Sequence, residues 1–383
     1  MMDEPRQVAT SVPSLEVRGL KVVFNTYAGV VKALDGIDLT VYKREVVGLV
    51  GESGCGKSVT ALAIAGLLPE NAKVLSGEVL LNGEDLLRKN KKEIRRSRLT
   101  EIALVFQDPM TYLNPVMTIG SQITEIFTGN LKMFEDELIK SRLEMIDREM
   151  EEDPDRAEFL QAEKSKLQYA KAARPGKKIG KKEGKRLARL RAIEYLRLVR
   201  LPEPERVFKM YPFELSGGMR QRAMIAMALV RRPKVLLADE ITTALDVTVQ
   251  AQILKLLKEL RDKIDASIIL ITHDLGVVAE TCDRVAVMYA GNIVEVADVF
   301  EIFKNPLHPY TKGLFAAVPK PDVSSANEEL ESIKGSVPNL IFPPTGCRFH
   351  PRCPMAFERC PIVKPPLIEV APGHKVACLL YGG

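Results

Sequence analysis

Gly51-Glu52-Ser53-Gly54-Cys55-Gly56-Lys57-Ser58 is the stretch from which the fold of this 383-residue chain is read. It fits the pattern G-x-x-x-x-G-K-[ST], and its neighbours supply the context that pattern needs. Upstream, residues 15 to 50 alternate apolar and polar side chains (LEVRGLKVVF, then VKALDGIDLTVYKREVVGLV) and end in an apolar run, which is the period of strands. Downstream, Lys57 through Leu67 reads as a helix. In a strand, loop and helix of this kind the glycines let the backbone curl, so that N–H groups and the helix N-terminus point at phosphate oxygens. Gly51, Ser53, Gly54, Cys55, Gly56 and Val59 are then candidates to line the phosphates of ATP. Lys57 is expected to reach the β and γ phosphates, and Ser58 to ligate Mg²⁺.

Two more short apolar runs, Val235 to Ala238 and Ile268 to Thr272, close on polar residues and read as buried strands. Strands alternating with helices imply an α/β fold with a parallel sheet covered by helices. The first run ends in Asp239-Glu240. A carboxylate at that strand end is placed to hold the metal's water shell, which gives Asp239 to Mg²⁺. Glu240, one residue on, is placed to polarise the attacking water. His273 follows the second run and Gln107 follows another, IALVF. Such residues are more often structural, yet both sit at carboxyl ends of strands, where open α/β sheets bind ligands. His273 is a candidate for the γ phosphate, and Gln107 for Mg²⁺ and for sensing its presence.

Composition bounds the rest. A hydrophobic fraction of 46% supports globular cores, and a formal charge of +5 is too mild to demand a nucleic-acid or lipid partner. No apolar stretch approaches the length of a membrane-spanning helix, and the N-terminus (MMDEPRQVATSVPS) lacks a basic-then-apolar leader. A location on the cytoplasmic side follows as an expectation. Residues 131 to 195 are highly charged, with an acidic block from Glu149 to Asp155 and twelve Lys or Arg between Lys164 and Arg191. They read as an inserted helical hairpin with a flexible point at Pro175 and Gly176. From about residue 300 proline becomes frequent, marking a small irregular C-terminal domain. It carries Cys347, Cys353, Cys360 and Cys378 at intervals of five, six and seventeen residues. In a reducing compartment such a group reads as metal ligation more readily than as disulfides. The gaps are longer than those of a zinc knuckle, which tilts against zinc while leaving zinc and free thiols open.

Leu215-Ser216-Gly217-Gly218-Met219-Arg220-Gln221-Arg222 resembles the LSGGQ signature of ABC-type ATPases. The order of phosphate loop, Gln107, signature, Asp239-Glu240, Ala244-Leu245-Asp246 and His273 is similar to the motif order of that superfamily over roughly residues 15 to 300. Gln107-Asp-Pro-Met-Thr-Tyr-Leu-Asn-Pro115, His308-Pro-Tyr-Thr and the cysteine-rich tail narrow the resemblance to the ATP-binding subunits of oligopeptide and dipeptide importers, over nearly the whole chain. The resemblance implies a P-loop ABC ATPase core, a RecA-like parallel sheet with an antiparallel β subdomain, plus a helical subdomain and the small C-terminal domain. The expected divisions are 1–106 for the first part of the core with the phosphate loop, 107–212 for the helical subdomain with the charged insertion, 213–300 for the signature and the second part of the core, and 301–383 for the C-terminal domain.

Several roles come from the resemblance alone. Ser216, Gly217 and Gly218 would cap the γ phosphate of a nucleotide held by an opposing ATPase subunit, in a head-to-tail dimer. Tyr27, with Phe24 as second choice, would stack on adenine. The four tail cysteines would bind a [4Fe-4S] cluster. Partners would be two membrane-spanning permease subunits, a second and related ABC ATPase chain and, through the permease, an extracytoplasmic solute-binding protein, with the chain peripheral on the cytoplasmic face of the membrane. The activity would be ATP hydrolysis coupled to uptake of peptides, with oligosaccharides or metal chelates as other cargo. Ile241 departs from the family where proline commonly follows the glutamate, and the 131–195 insertion is longer than the family norm. A rival class is a soluble ABC ATPase acting on nucleic acid through the basic stretch. One cassette, and an insertion too short for a long coiled coil, speak against it, so no nucleic-acid partner is expected. A regulatory subunit with a dead site is disfavoured because each catalytic position is filled.

Overall fold

The computed structural model describes residues 12–106, 112–172, 178–241, 246–317 and 333–382, apart from the Asp262 side chain. Gln107, Pro175, Gly176, Ala244 and Leu245 lie outside the described residues. Contacts divide the chain into two units, Met1–Gln107 with Arg232–Thr243 and Gln250–Gly383, and Asp108–Arg231 with Ala244–Val249.

The first unit contains two sheets over one core. β1 (Pro13–Thr26), β2 (Gly29–Tyr42), β4 (Ala72–Leu81) and β5 (Glu84–Asp85) form an antiparallel sheet in the order β2-β1-β4-β5. The alternation of β1 turns Leu15, Val17, Leu20 and Val22 into a cluster shared with Leu49, Leu237, Ile269 and Ile271 of the second sheet. That second sheet, eight-stranded among the described residues, runs β11-β12-β10-β9-β3-β8-β7-β6. Its parallel part comprises β3 (Val46–Val50), β6 (Ile102–Val105), β7 (Val235–Asp239), β8 (Ser267–Ile271) and β9 (Arg284–Tyr289). β3 and β8 are buried at every residue, as apolar strands covered on both faces must be.

β10 (Asn292–Asp298), β11 (Ile368–Ala371) and β12 (His374–Val376) continue the sheet in antiparallel pairing. The proline-rich tail is thereby tied to the ATPase sheet. Glu295 on β10 is fully buried, and its carboxylate accepts from Leu307 N–H at 2.8 Å and His308 N–H at 2.9 Å and lies 2.8 Å from His374 Nε2. A buried carboxylate is tolerated when its lone pairs are filled in this way. Burial pushes the His308 imidazole down to about 3, so it is neutral and accepts from Tyr310 N–H at 3.0 Å.

In the second unit the helices Ile119–Thr128, Leu131–Glu152, Ala157–Lys171, Lys181–Leu198 and Gly217–Leu229 bury Phe127, Phe134, Leu138, Ile146, Leu160, Leu167 and Leu187. The charged insertion is therefore a packed body with apolar side chains of its own. Its charges pair internally. Arg142, nearly buried, reaches Glu149 at 2.6 Å and Glu163 at 2.9 Å, and Arg186 reaches Glu163 at 2.7 Å. Hydrogen bonding from Arg142 holds the Glu163 carboxyl down at about 2. A depressed carboxylate stabilises the fold above its ordinary titration range and loses that contribution as pH falls through its folded value. Between the ordinary value of 4.5 and about 2, wild-type protein should thus lose more unfolding free energy than Glu163→Gln. Acid titration followed by helical circular dichroism measures this, and equal acid sensitivity would refute it.

Candidate nucleotide site

The loop after β3 is built around glycine. Gly51 has φ +149°, and a Cβ there would lie 2.1 Å from the Met288 carbonyl oxygen. Gly56 has φ +109°, and a Cβ there would meet the Leu34 side chain at 2.8 Å. Both conditions exclude a side chain. Cys55 is buried between them, its thiol pushed up by burial, and its carbonyl accepts from Gly291 N–H at 2.8 Å. Gly56 leads into the helix Lys57–Ile64 with no side-chain cap and no acidic residue in the first turn. Its amino end thus keeps N–H groups and partial positive charge for an anion. Ser53, Gly54 and Ser58 are exposed at the mouth, and Val59 packs on the core behind. The Lys57 ammonium curls over the loop and donates to the carbonyls of Gly51 at 2.7 Å and Glu52 at 3.0 Å.

Parallel pairing delivers the remaining groups. Leu49 on β3 aligns with Ile271 on β8, and Ile271 with Asp239 on β7, so three strands end at one level. Ser58 lies close enough to Asp239 to act on its carboxyl. The Asp239 Oδ1 is buried without a hydrogen-bond partner among the described residues. Burial, with the nearby Glu240, pushes the Asp239 carboxyl up, against the opposing pull of Ser58 and Lys57. An orphaned carboxylate oxygen beside a serine hydroxyl is a donor set suited to a hard divalent cation. Glu240 turns with φ +48°, a left-handed conformation unusual for a non-glycine residue, and its N–H donates to the Ile271 carbonyl at 2.9 Å. Its Oε1 lies 3.3 Å from Nδ1 of His273, whose ring is largely exposed. Tyr27 is fully exposed at the β1–β2 turn, whereas Phe24 is partly buried against the core.

The signature belongs to the second unit. Ser216 caps the helix Gly217–Leu229 by accepting from Met219 N–H at 3.3 Å, and Ser216 and Gly217 are exposed. A Cβ at Gly218 would lie 2.8 Å from Val249, whose N–H is held by Asp246 at 2.9 Å. Arg220 donates to the Pro212 carbonyl at 2.7 Å and Arg222 to the Val199 carbonyl at 3.0 Å, fixing the segment from behind.

The four tail thiols lie within electrostatic reach of one another. Cys347 is pushed up to about 11 by burial and then by Cys360, Cys378 and Cys353. Cys347 N–H donates to the Cys360 carbonyl at 2.8 Å. Even so, no group of three or more His, Cys, Asp or Glu among the described residues is arranged to hold a metal ion. The sequence reading also passed over three groups. Glu52, inside the phosphate loop, donates its backbone N–H to Tyr310 Oη at 2.9 Å and its carboxylate accepts a forked ion pair from Arg352 at 2.7 and 3.1 Å. The only sequence signal was His308-Pro-Tyr-Thr, read as a mark of resemblance without a role.

Residues 34–243 match the model of the ABC transporter family, and residues 294–360 that of the oligopeptide/dipeptide transporter C-terminal region. The chain is 44% identical to the dipeptide transport ATP-binding protein DppD of Bacillus subtilis, over 96% of this chain and 94% of that one. It is 41% identical to the oligopeptide transport ATP-binding protein OppD of Salmonella typhimurium, over 97% of this chain and 96% of that one. Among solved structures, cbiO1 from Clostridium perfringens, part of the ABC transporter complex cbiONQ, superposes with a TM-score of 0.55 at 26% identity, covering 76% of this chain and 91% of that one. An ATP-binding cassette bound to ADP and Pi shares the fold, with a TM-score of 0.54 at 24% identity over 74% of this chain and 98% of that one. With its glycine loop, paired strand-end carboxylates and tail, the chain belongs to the ABC transporter family, among the ATP-binding subunits of the oligopeptide/dipeptide branch.

Proposed function

We propose that this chain is the ATP-hydrolysing subunit of an importer that takes up oligopeptides or dipeptides through separate permease subunits at the cytoplasmic face of the membrane. The observation that carries it is the convergence of the phosphate loop, Asp239 and Glu240 at the end of three adjoining parallel strands. Relatives named for dipeptide and oligopeptide transport, similar over nearly the full chain, support the cargo class. No helix among the described residues is long and apolar enough to cross a membrane.

Gly51 to Gly56 and the helix end bind the phosphates, and Lys57 exchanges its carbonyl partners for the β and γ oxygens. Ser58 and the orphaned Asp239 oxygen would hold the cation. Mg²⁺ held there would supply charge neutralisation to the phosphates. Glu240 accepts the proton of the attacking water and His273, 3.3 Å away, orients that carboxylate. Tyr27, open to solvent, is free to stack on adenine. Ser216 and Gly217, exposed at a helix N-terminus, have the chemistry to bind a γ phosphate presented by a second, related ATPase chain, and Gly218 leaves room for the Val249 side chain beside them. An extracytoplasmic solute-binding protein would choose the cargo. For the tail cysteines the proposed ligand is a [4Fe-4S] cluster, a reading that rests on the resemblance and on the electrostatic coupling of Cys347 with Cys360, Cys378 and Cys353.

Replacement Glu240→Gln should leave ATP binding intact, lower turnover by about 10²- to 10⁴-fold and accumulate an ATP-bound dimer in light scattering. Lys57→Ala should bind ATP poorly. Wild-type turnover by Glu240→Gln would remove that residue from its role. Asp239 gives a separate check, because a carboxyl pushed up by burial costs the nucleotide-free fold stability once pH rises past its ordinary value of 3.8. Asp239→Asn should therefore raise the thermal midpoint at neutral pH, lose that advantage near the ordinary value, and abolish Mg²⁺-dependent turnover. Protein purified without oxygen should contain iron and acid-labile sulfide in equal amounts, lost in Cys360→Ser, and zinc or no metal would reject the cluster.

A further inference from the structure

The C-terminal region reaches into the phosphate loop at one residue. Glu52 contributes a carboxylate to a loop whose ligand is itself anionic, and that side chain is about a quarter exposed. Left alone there, it would repel phosphate. Two groups from the far end of the chain act on it. Arg352, 300 residues away in sequence, forms the forked pair with both carboxylate oxygens at 2.7 and 3.1 Å. Tyr310 Oη accepts the Glu52 N–H at 2.9 Å. Neither group is loosely held. The Arg352 guanidinium is only 6% exposed and also donates to the carbonyls of Lys334 at 3.0 Å, Ile333 at 3.2 Å and Gly335 at 3.2 Å. The Tyr310 ring is fully buried against Tyr289 and Phe349, with centroids 4.6 and 5.4 Å away. A fork of two parallel N–H···O bonds fixes the orientation of a carboxylate as well as its charge.

We infer that Arg352 and Tyr310 are positioning residues for nucleotide binding: Arg352 cancels and aims the Glu52 charge away from the phosphates, while Tyr310 pins the Glu52 backbone so that the loop keeps its phosphate-ready curl. Neither touches the nucleotide. The inference rests on the reading of Gly51 to Ser58 as the ATP phosphate loop. It makes the C-terminal region a part of the ATP site, beyond any metal it holds.

The test is Mg²⁺-ATP affinity of the full chain by calorimetry, with steady-state turnover alongside. Arg352→Ala should weaken binding about tenfold, seen as a raised KM with kcat little changed. Adding Glu52→Gln to that variant should recover most of the loss, because the uncompensated charge is then gone. A packing defect would not be repaired by altering Glu52. Tyr310→Phe, which keeps the buried ring and removes only the acceptor oxygen, covers the case in which Arg352→Ala does not fold, and should weaken binding several-fold in a chain that still folds, with its thermal midpoint only slightly lowered. Wild-type affinity in both Arg352→Ala and Tyr310→Phe overturns the inference, as does a double variant that binds no better than Arg352→Ala. If wild-type protein itself fails to bind Mg²⁺-ATP, the phosphate-loop reading falls and the inference with it.

Discussion

Parallel pairing of β3 with β8, and of β8 with β7, is the constraint on which the site depends. In a parallel ladder each strand ends on the same side, so whatever follows the strands must share one edge. Here the shared edge receives the phosphate loop from β3, Asp239 and Glu240 from β7, and His273 from β8. The register Leu49 to Ile271 to Asp239 decides the level at which each arrives. A shift of one residue would turn Asp239 to the other face of the sheet and separate it from Ser58. Burial of β3 and β8 at every position resists such a slip, because moving an all-apolar strand disrupts packing on both faces.

What could be read from the sequence follows from the same geometry. The glycine loop, the Asp239-Glu240 pair and His273 are short contiguous signals attached to strand ends, and the local chain alone states their surroundings. The fold class was legible because strand and helix periods differ. Strand order was not, since nothing local tells β3 that it lies between β8 and β9. The insertion shows the limit from another side. Its charge runs announce no core, yet Leu160, Leu167 and Leu187 are buried and Arg142 lies between Glu149 and Glu163. Opposite charges within one helix and across to the next satisfy one another, a pairing that a linear count of charged residues does not reveal. Glu52 with Arg352 is the extreme case, a contact spanning 300 residues whose partners carry no motif relation.

Several groups at the site are held in locally costly arrangements. Asp239 keeps an oxygen buried without a partner, Glu240 adopts a left-handed backbone, and Lys57 spends its donors on carbonyls of its own loop. Groups of this kind persist only where the surrounding structure over-determines them, and here the surroundings are two sheets sharing one core and a tail strand-paired to β10. On the proposed reading a cation and phosphates would satisfy these groups, so ligand binding and local stability would be linked: whatever fills the site would stabilise the folded chain by mass action. The tail takes part in that linkage because it holds Glu52 from behind while the sheet holds Asp239 from below. An energetic connection between the two ends of the chain then needs no moving part, since both act on a loop whose backbone has no slack at Gly51 and Gly56.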